Sequence, residues 1–180
     1  SPSSGNYTVG NTFLLQVKAN SGGVAVNAAD GTVVFDPDKL EVVSISKTDS
    51  VFSLWVQEPA FSNSLGTITF AGGKPSPGFT GAAGVIVNII FKARTAGTAN
   101  LTFAAGSILA DDGKGTNILS NLGGGTYTLS GRTVIPLPTA PPTYAPITTP
   151  GGVPAAPVVN SLTHSEEDKW YSNSNPEFSW

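Results

Sequence analysis

Hydrolysis by a serine nucleophile needs an imidazole beside the hydroxyl to take its proton. The 180 residues contain one histidine, His164, which stands past a long proline-rich stretch and reads as a loop residue. No cysteine is present, which excludes thiol catalysis, iron–sulfur clusters and cysteine-ligated zinc. Glycoside hydrolysis needs two carboxyl groups held ~5–9 Å apart in a cleft. Glu58 precedes Pro59, and Asp36 and Asp38 flank Pro37, so each reads as a turn residue. The most metal-like stretch is Asp111-Asp112-Gly113-Lys114-Gly115-Thr116-Asn117, where Asp111, Asp112 and Asn117 offer oxygens on a glycine-bent loop. It lacks the spaced third carboxylate and distal glutamate of a calcium-binding EF-hand loop and reads as a tight polar turn. No metal or other cofactor is therefore expected, and no catalytic role. Asn6-Tyr7-Thr8 and Asn100-Leu101-Thr102 fit the glycosylation sequon and read as chance matches.

The aromatic residues point to recognition instead. In Val51–Gln57, alternation sends Phe52, Leu54 and Val56 to one face and Val51, Ser53, Trp55 and Gln57 to the other. With the first set in the core, Trp55 and Gln57 face outward. An exposed tryptophan serves as an anchor for a protein partner or as a platform for a sugar ring. Phe61, and Phe79 at the tip of a proline-rich loop, extend the same candidate patch. The competing reading is that Trp55 only covers an edge of the fold.

These residues sit on short strands. Only 12% of the chain is charged, against a usual ~25%, while 35 residues are Gly or Pro. That balance favours an all-β chain. Apolar runs divided by turn signals fall at Thr12–Ala19, Thr32–Phe35, Leu40–Ser46, Val51–Gln57 and Thr67–Ala71. They continue at Val85–Ala93, Thr98–Phe103, Ser107–Ala110 and Thr126–Leu129. Asp30-Gly31 reads as a turn and Gly72–Gly81 as a loop. Val85, Val87, Ile89 and Phe91 share one face of the strongest strand, and Ile86 and Ile90 on the other suggest burial on much of both sides. Nine short strands with no convincing helix describe a sandwich rather than a parallel α/β sheet.

Beyond the strands the composition changes. Residues 133–157 hold eight prolines among Thr, Ala and Gly with no charge, as expected of a mobile extended spacer able to span roughly 70 Å. Residues 158–180 return to strand-like alternation at Phe178–Trp180 and read as the truncated start of a second, immunoglobulin-like β domain. The opening lacks the features of a signal peptide, so the sequence is expected to be an excerpt. Residues 1–132 carry eight basic and eight acidic groups, and the net charge of −3 comes from Glu166, Glu167, Asp168 and Glu177 facing Lys169. Without a basic stripe no nucleic-acid partner is expected, and without a long apolar run no membrane insertion is expected.

Four landmarks in order carry a family resemblance: Val9-Gly10-Asn11-Thr12-Phe13, Gly31–Ile45 with its strand–Asp-Pro–Leu–strand pattern, Gly66–Gly73, and Gly84–Phe103. Together they resemble the cohesin family over about residues 5–130. The resemblance implies a nine-stranded jelly-roll β-sandwich related to carbohydrate-binding modules, with no enzymatic activity. It also implies recognition of a protein partner, a dockerin or similar module, across one sheet face. Two departures stand out: the family's first strand, before Val9, looks short or absent, and the Gly72–Gly81 loop is long. The expected protein is thus a monomeric, non-catalytic binding or adhesion module outside a prokaryotic cell. A polysaccharide ligand and a passive stalk are the alternatives; the first requires a flat exposed aromatic strip around Trp55.

Overall fold

The computed structural model describes residues 1–132 throughout and, beyond them, residues 156, 158, 160, 161, 163, 164, 169, 170, 172 and 177–179. The chain divides into two units, Ser1–Ile135 and Pro136–Trp180. The expected spacer at 133–157 and its expected mobility fall almost wholly outside the described residues.

The first unit holds nine strands. They are β1 (Ser4–Thr8), β2 (Thr12–Ala19), β3 (Val26–Phe35), β4 (Leu40–Ser46), β5 (Leu54–Ser62), β6 (Thr67–Gly73), β7 (Gly84–Ala93), β8 (Gly97–Ala110) and β9 (Gly125–Ser130). Six form one sheet in the order β1-β9-β8-β3-β6-β5, and three form the other, β2-β7-β4. Every neighbouring pair is antiparallel except β1 with β9. Among the described residues there is no helix, and so none long and apolar enough to cross a membrane.

The core follows from alternation along each strand. Val33 and Phe35, Ile68 and Phe70, Leu101, Tyr127 and Leu129 turn inward from the large sheet and meet Phe13, Leu15, Val42, Ile89 and Phe91 from the small one. Burial of such side chains supplies ~1.5–3 kcal/mol each and makes disulfides unnecessary at this size. The rings interlock: Tyr7 stacks on Phe13 at 3.7 Å and Phe35 meets Phe91 edge-on at 5.4 Å. Burial, and next the neighbouring Tyr7, push the Tyr127 phenol above its ordinary pKa. Its hydroxyl donates to the Pro2 carbonyl at 2.7 Å.

Several local expectations are corrected. The first strand before Val9 is present, as β1 paired along all five residues with β9. Asp30-Gly31 lies inside β3 rather than in a turn. There Asp30 faces out and accepts a hydrogen bond from Ser107, while a side chain at Gly31 would meet the Phe70 ring at 2.7 Å. The glycine therefore marks close packing, not a reversal. Gly106 faces Gly31 across the ladder, and the two expected strands around it are one fourteen-residue strand, β8. Gly72 and Gly73 belong to β6 rather than to a loop. β7 is buried on its inner face, but Ile90 opposite is 38% exposed; Ile86, skipped at a register shift, is buried as part of the core between the sheets.

In the second unit, β10 (Asn160–Ser161) pairs antiparallel with β11 (Phe178–Ser179). The His164 main-chain N–H donates to the Ser161 hydroxyl at 2.9 Å, and its Nδ1 lies 2.9 Å from Thr163 Oγ1.

Candidate partner-binding face

β5 is the edge strand of the six-stranded sheet, bonded only to β6. It begins at Leu54, three residues after the expected start, and runs five residues past the expected end through Glu58 and Pro59. Proline is tolerated there because an edge strand has a side that needs no donor. Phe52 lies before the strand and anchors the approach to it, 4% exposed.

This changes which side chains face outward. Trp55 lies opposite Gly72, whose missing side chain leaves the inner face open; a Cβ there would meet the indole at 2.8 Å. The indole fills that gap, packs against the core and meets Phe52 edge-on at 6.2 Å. Lys47 holds its ammonium 5.6 Å from the ring centroid and pairs with Glu58 at 2.6 Å. The outward placement of Trp55 is therefore corrected: it is half-buried and buttresses the edge. Leu54 and Val56, expected in the core, are 57% and 93% exposed. A one-residue change of phase moves every side chain to the other face, and the register shift between Trp55 and Gln57 leaves Val56 outside the pairing.

Gln57 does face out, and its amide donates to the Thr69 hydroxyl at 2.9 Å. Phe61 is 43% exposed at the sheet edge. Phe79 is elsewhere: it exchanges main-chain bonds with Val26 at 2.7 and 2.8 Å, and its ring lies over Gly81 and Gly84. The structure thus brings Trp55, Gln57 and Phe61 together on β5 and leaves Phe79 out. The flat aromatic strip that a polysaccharide platform requires does not form around Trp55.

The outward positions of the neighbouring strands are mostly small and, apart from Asp30, uncharged. Thr67, Thr69 and Ala71 on β6 continue across to Val34, Thr32 and Asp30 on β3, and then to Thr102, Ala105 and Ser107 on β8. Leu54 and Val56 on the strand and Leu65 in the following turn, 73% exposed, add apolar surface that sequence alternation missed. The available signal was the pair Gly72-Gly73, which leaves a gap that a large neighbour must fill.

Asn63 fixes this edge against the other sheet. Its side chain accepts from the Val42 N–H at 2.8 Å and donates to the Val42 carbonyl at 2.9 Å. Asn63→Ala leaves a buried residue's main-chain donor and acceptor unpaired and should cost about 1–3 kcal/mol. Chemical denaturation of the variant beside wild type measures it; an unchanged midpoint would contradict the bracing role.

The polar turn at 111–117 shows no converging ligand set. Asp111 accepts from the Ser76 hydroxyl at 2.7 and 2.8 Å, while Asn117 accepts from the Leu119 N–H at 3.0 Å. Asp112 turns into its own loop, where the Thr116 hydroxyl and then the Lys114 N–H hold its carboxyl below the ordinary range. Asp36 accepts from the Asp38 N–H at 2.9 Å, as a turn residue does. Among the described residues no three acidic or histidine side chains gather as a metal site would require.

The family model described as "Cohesin domain" matches residues 2–125. The sixth cohesin of Acetivibrio cellulolyticus scaffoldin B, solved with a Cel5 dockerin mutant, is 19% identical. It superposes at a TM-score of 0.58 over 71% of this chain and 94% of its own. The OlpC cohesin in a dockerin complex from Clostridium thermocellum is 14% identical, with a TM-score of 0.59 over 72% of this chain and 91% of its own. A non-cellulosomal cohesin from the archaeon Archaeoglobus fulgidus is 17% identical, with a TM-score of 0.58 over 71% and 86%. At these identities the likeness is one of fold. No curated protein matches the chain. The chain belongs to the cohesin family: a non-catalytic module of jelly-roll fold whose work is to bind a protein.

Proposed function

We propose that this cohesin binds a dockerin-type protein partner through the outward face of β5, β6, β3 and β8. The observation that carries the reading is the exposure of Leu54 and Val56, 57% and 93%, on the edge strand of an otherwise hydroxyl-rich sheet face, with Phe61 and Leu65 exposed farther along the same edge. Apolar residues beside an uncharged polar field match the usual anatomy of a recognition surface, with anchors near its centre and a polar surround. That relatives of this fold were solved with dockerins supports the choice of partner. The face carries little charge beyond Asp30, Lys47 and Glu58, so steering by charge contributes little, and affinity depends on burial.

The context follows from the rest of the chain. A cysteine-free sandwich joined to a proline-rich segment suits a surface or secreted protein of a prokaryote, with the segment at 133–157 as tether to a further β domain. Such a tether sets the effective concentration of the module near its target.

The test is titration of the full chain against a panel of dockerins by calorimetry, at low and high salt. Saturable one-to-one binding that changes by less than about threefold across a tenfold change in salt is expected. Silence across the panel would sink the dockerin reading and leave a stalk.

A further inference from the structure

The small sheet β2-β7-β4 turns one face to the core and the other away from it. Alternation and register place its outward side chains in three rows. Thr12, Lys92 and Glu41 form the first, Leu14, Ile90 and Ser44 the second, and Gln16, Asn88 and Ser46 the third. Val43, passed over at the register shift between Val42 and Ser44, adds to the second row. Leu14, Ile90 and Val43 are all exposed. Outward positions of an antiparallel sheet are ordinarily polar. An apolar row that reaches across all three strands therefore gains from being covered.

The flanking rows are polar and differ in kind. In the third, the Gln16 amide donates to the Asn88 side-chain oxygen at 2.8 Å, and the Asn88 amide donates to the Thr48 carbonyl at 2.7 Å. In the first, Lys92 and Glu41 stand opposite each other across the β7–β4 ladder. Among the described residues the one ion pair is Lys47 with Glu58, so these two charges lie side by side without being joined. The same two strands thus carry Lys92 beside Glu41 and, one row on, Ile90 beside Val43. That arrangement is complementary to itself. A two-fold axis along the strands, midway between β7 and β4, sets Lys92 against Glu41 of a second copy and Ile90 against its Val43, each contact occurring twice.

We propose that this outer face is a self-association surface, on which a second copy of the chain docks back to back about that axis. The two small sheets stack face to face at the usual ~10 Å, with Leu14 at the rim of the contact. A strand added at the free edge of β2 would widen the sheet and leave the face open. A surface three strands wide offers less than the ~800 Å² per partner of a stable interface. The pair is accordingly weak, half-formed at about 0.1–1 mM, and the monomer expected from the sequence is the dilute state. The face lies across the sandwich from β5, β6, β3 and β8, so pairing keeps that sheet open on both copies.

The test is sedimentation equilibrium of the full chain up to about 1 mM, the upper end of that range, with two charge reversals. Wild type should approach the mass of two chains as concentration rises. Lys92→Glu alone sets Glu against Glu twice, and Glu41→Lys alone sets Lys against Lys twice, so each should self-associate at least tenfold more weakly. An equimolar mixture of the two variants restores opposite charges at both contacts and should pair within about threefold of wild type. That recovery also shows that both variants are folded. The double variant Leu54→Asp, Val56→Asp should pair as wild type does, which separates this face from the partner-binding one. A wild-type chain that stays monomeric at the highest concentration, single variants that associate normally, or a mixture that fails to recover would overturn the proposal.

Discussion

Trp55→Ala should lower the stability of the first unit by about 2–4 kcal/mol while changing partner affinity less than tenfold. The indole occupies the space over Gly72 and meets Phe52, so its loss empties part of the core edge rather than removing an anchor. The estimate lies below that for a fully buried tryptophan because the ring is half in solvent. Lys47 above the ring adds little: its pairing with Glu58 is largely exposed, and such pairs contribute about 0–1 kcal/mol. Urea unfolding followed by circular dichroism, beside titration with the partner under native conditions, separates the two roles. A variant of wild-type stability that had lost binding would make Trp55 a contact residue instead.

The double variant Leu54→Asp, Val56→Asp should behave in the opposite way. Both side chains are more than half exposed, so stability should change by no more than about 0.5 kcal/mol. Docking would then have to desolvate two unpaired carboxylates at the centre of the contact. Affinity should fall at least a hundredfold, equivalent to about 2.7 kcal/mol. Unfolding curves that overlay those of wild type, with binding unchanged as well, would remove β5 from the interface.

The sandwich was legible in the sequence because alternation and turn residues act locally, and nearly every strand announces itself through them. The errors have a common physical origin in pairing between strands distant in sequence. Asp30-Gly31 has the composition of a turn, yet Gly31 is there to admit Phe70 and Phe103 from neighbouring strands. The phase of β5 could not be read from Val51–Gln57 alone, because it is set by Gly72, seventeen residues past Trp55. For the same reason Trp55 and Leu54 take the opposite faces from those the alternation predicts. Phe79 lies away from β5 because it pairs with Val26 and its ring takes the open space at Gly84.

The most direct measurement is an amide chemical-shift and hydrogen-exchange footprint of the full chain with a dockerin found to bind it. Changes concentrated on Leu54–Ser62, Thr67–Ala71 and the facing positions Asp30–Val34, with β2, β7 and β4 unaffected, are the predicted result. A footprint centred on Leu14, Ile90 and Val43, across the other sheet, would contradict the assignment of the face.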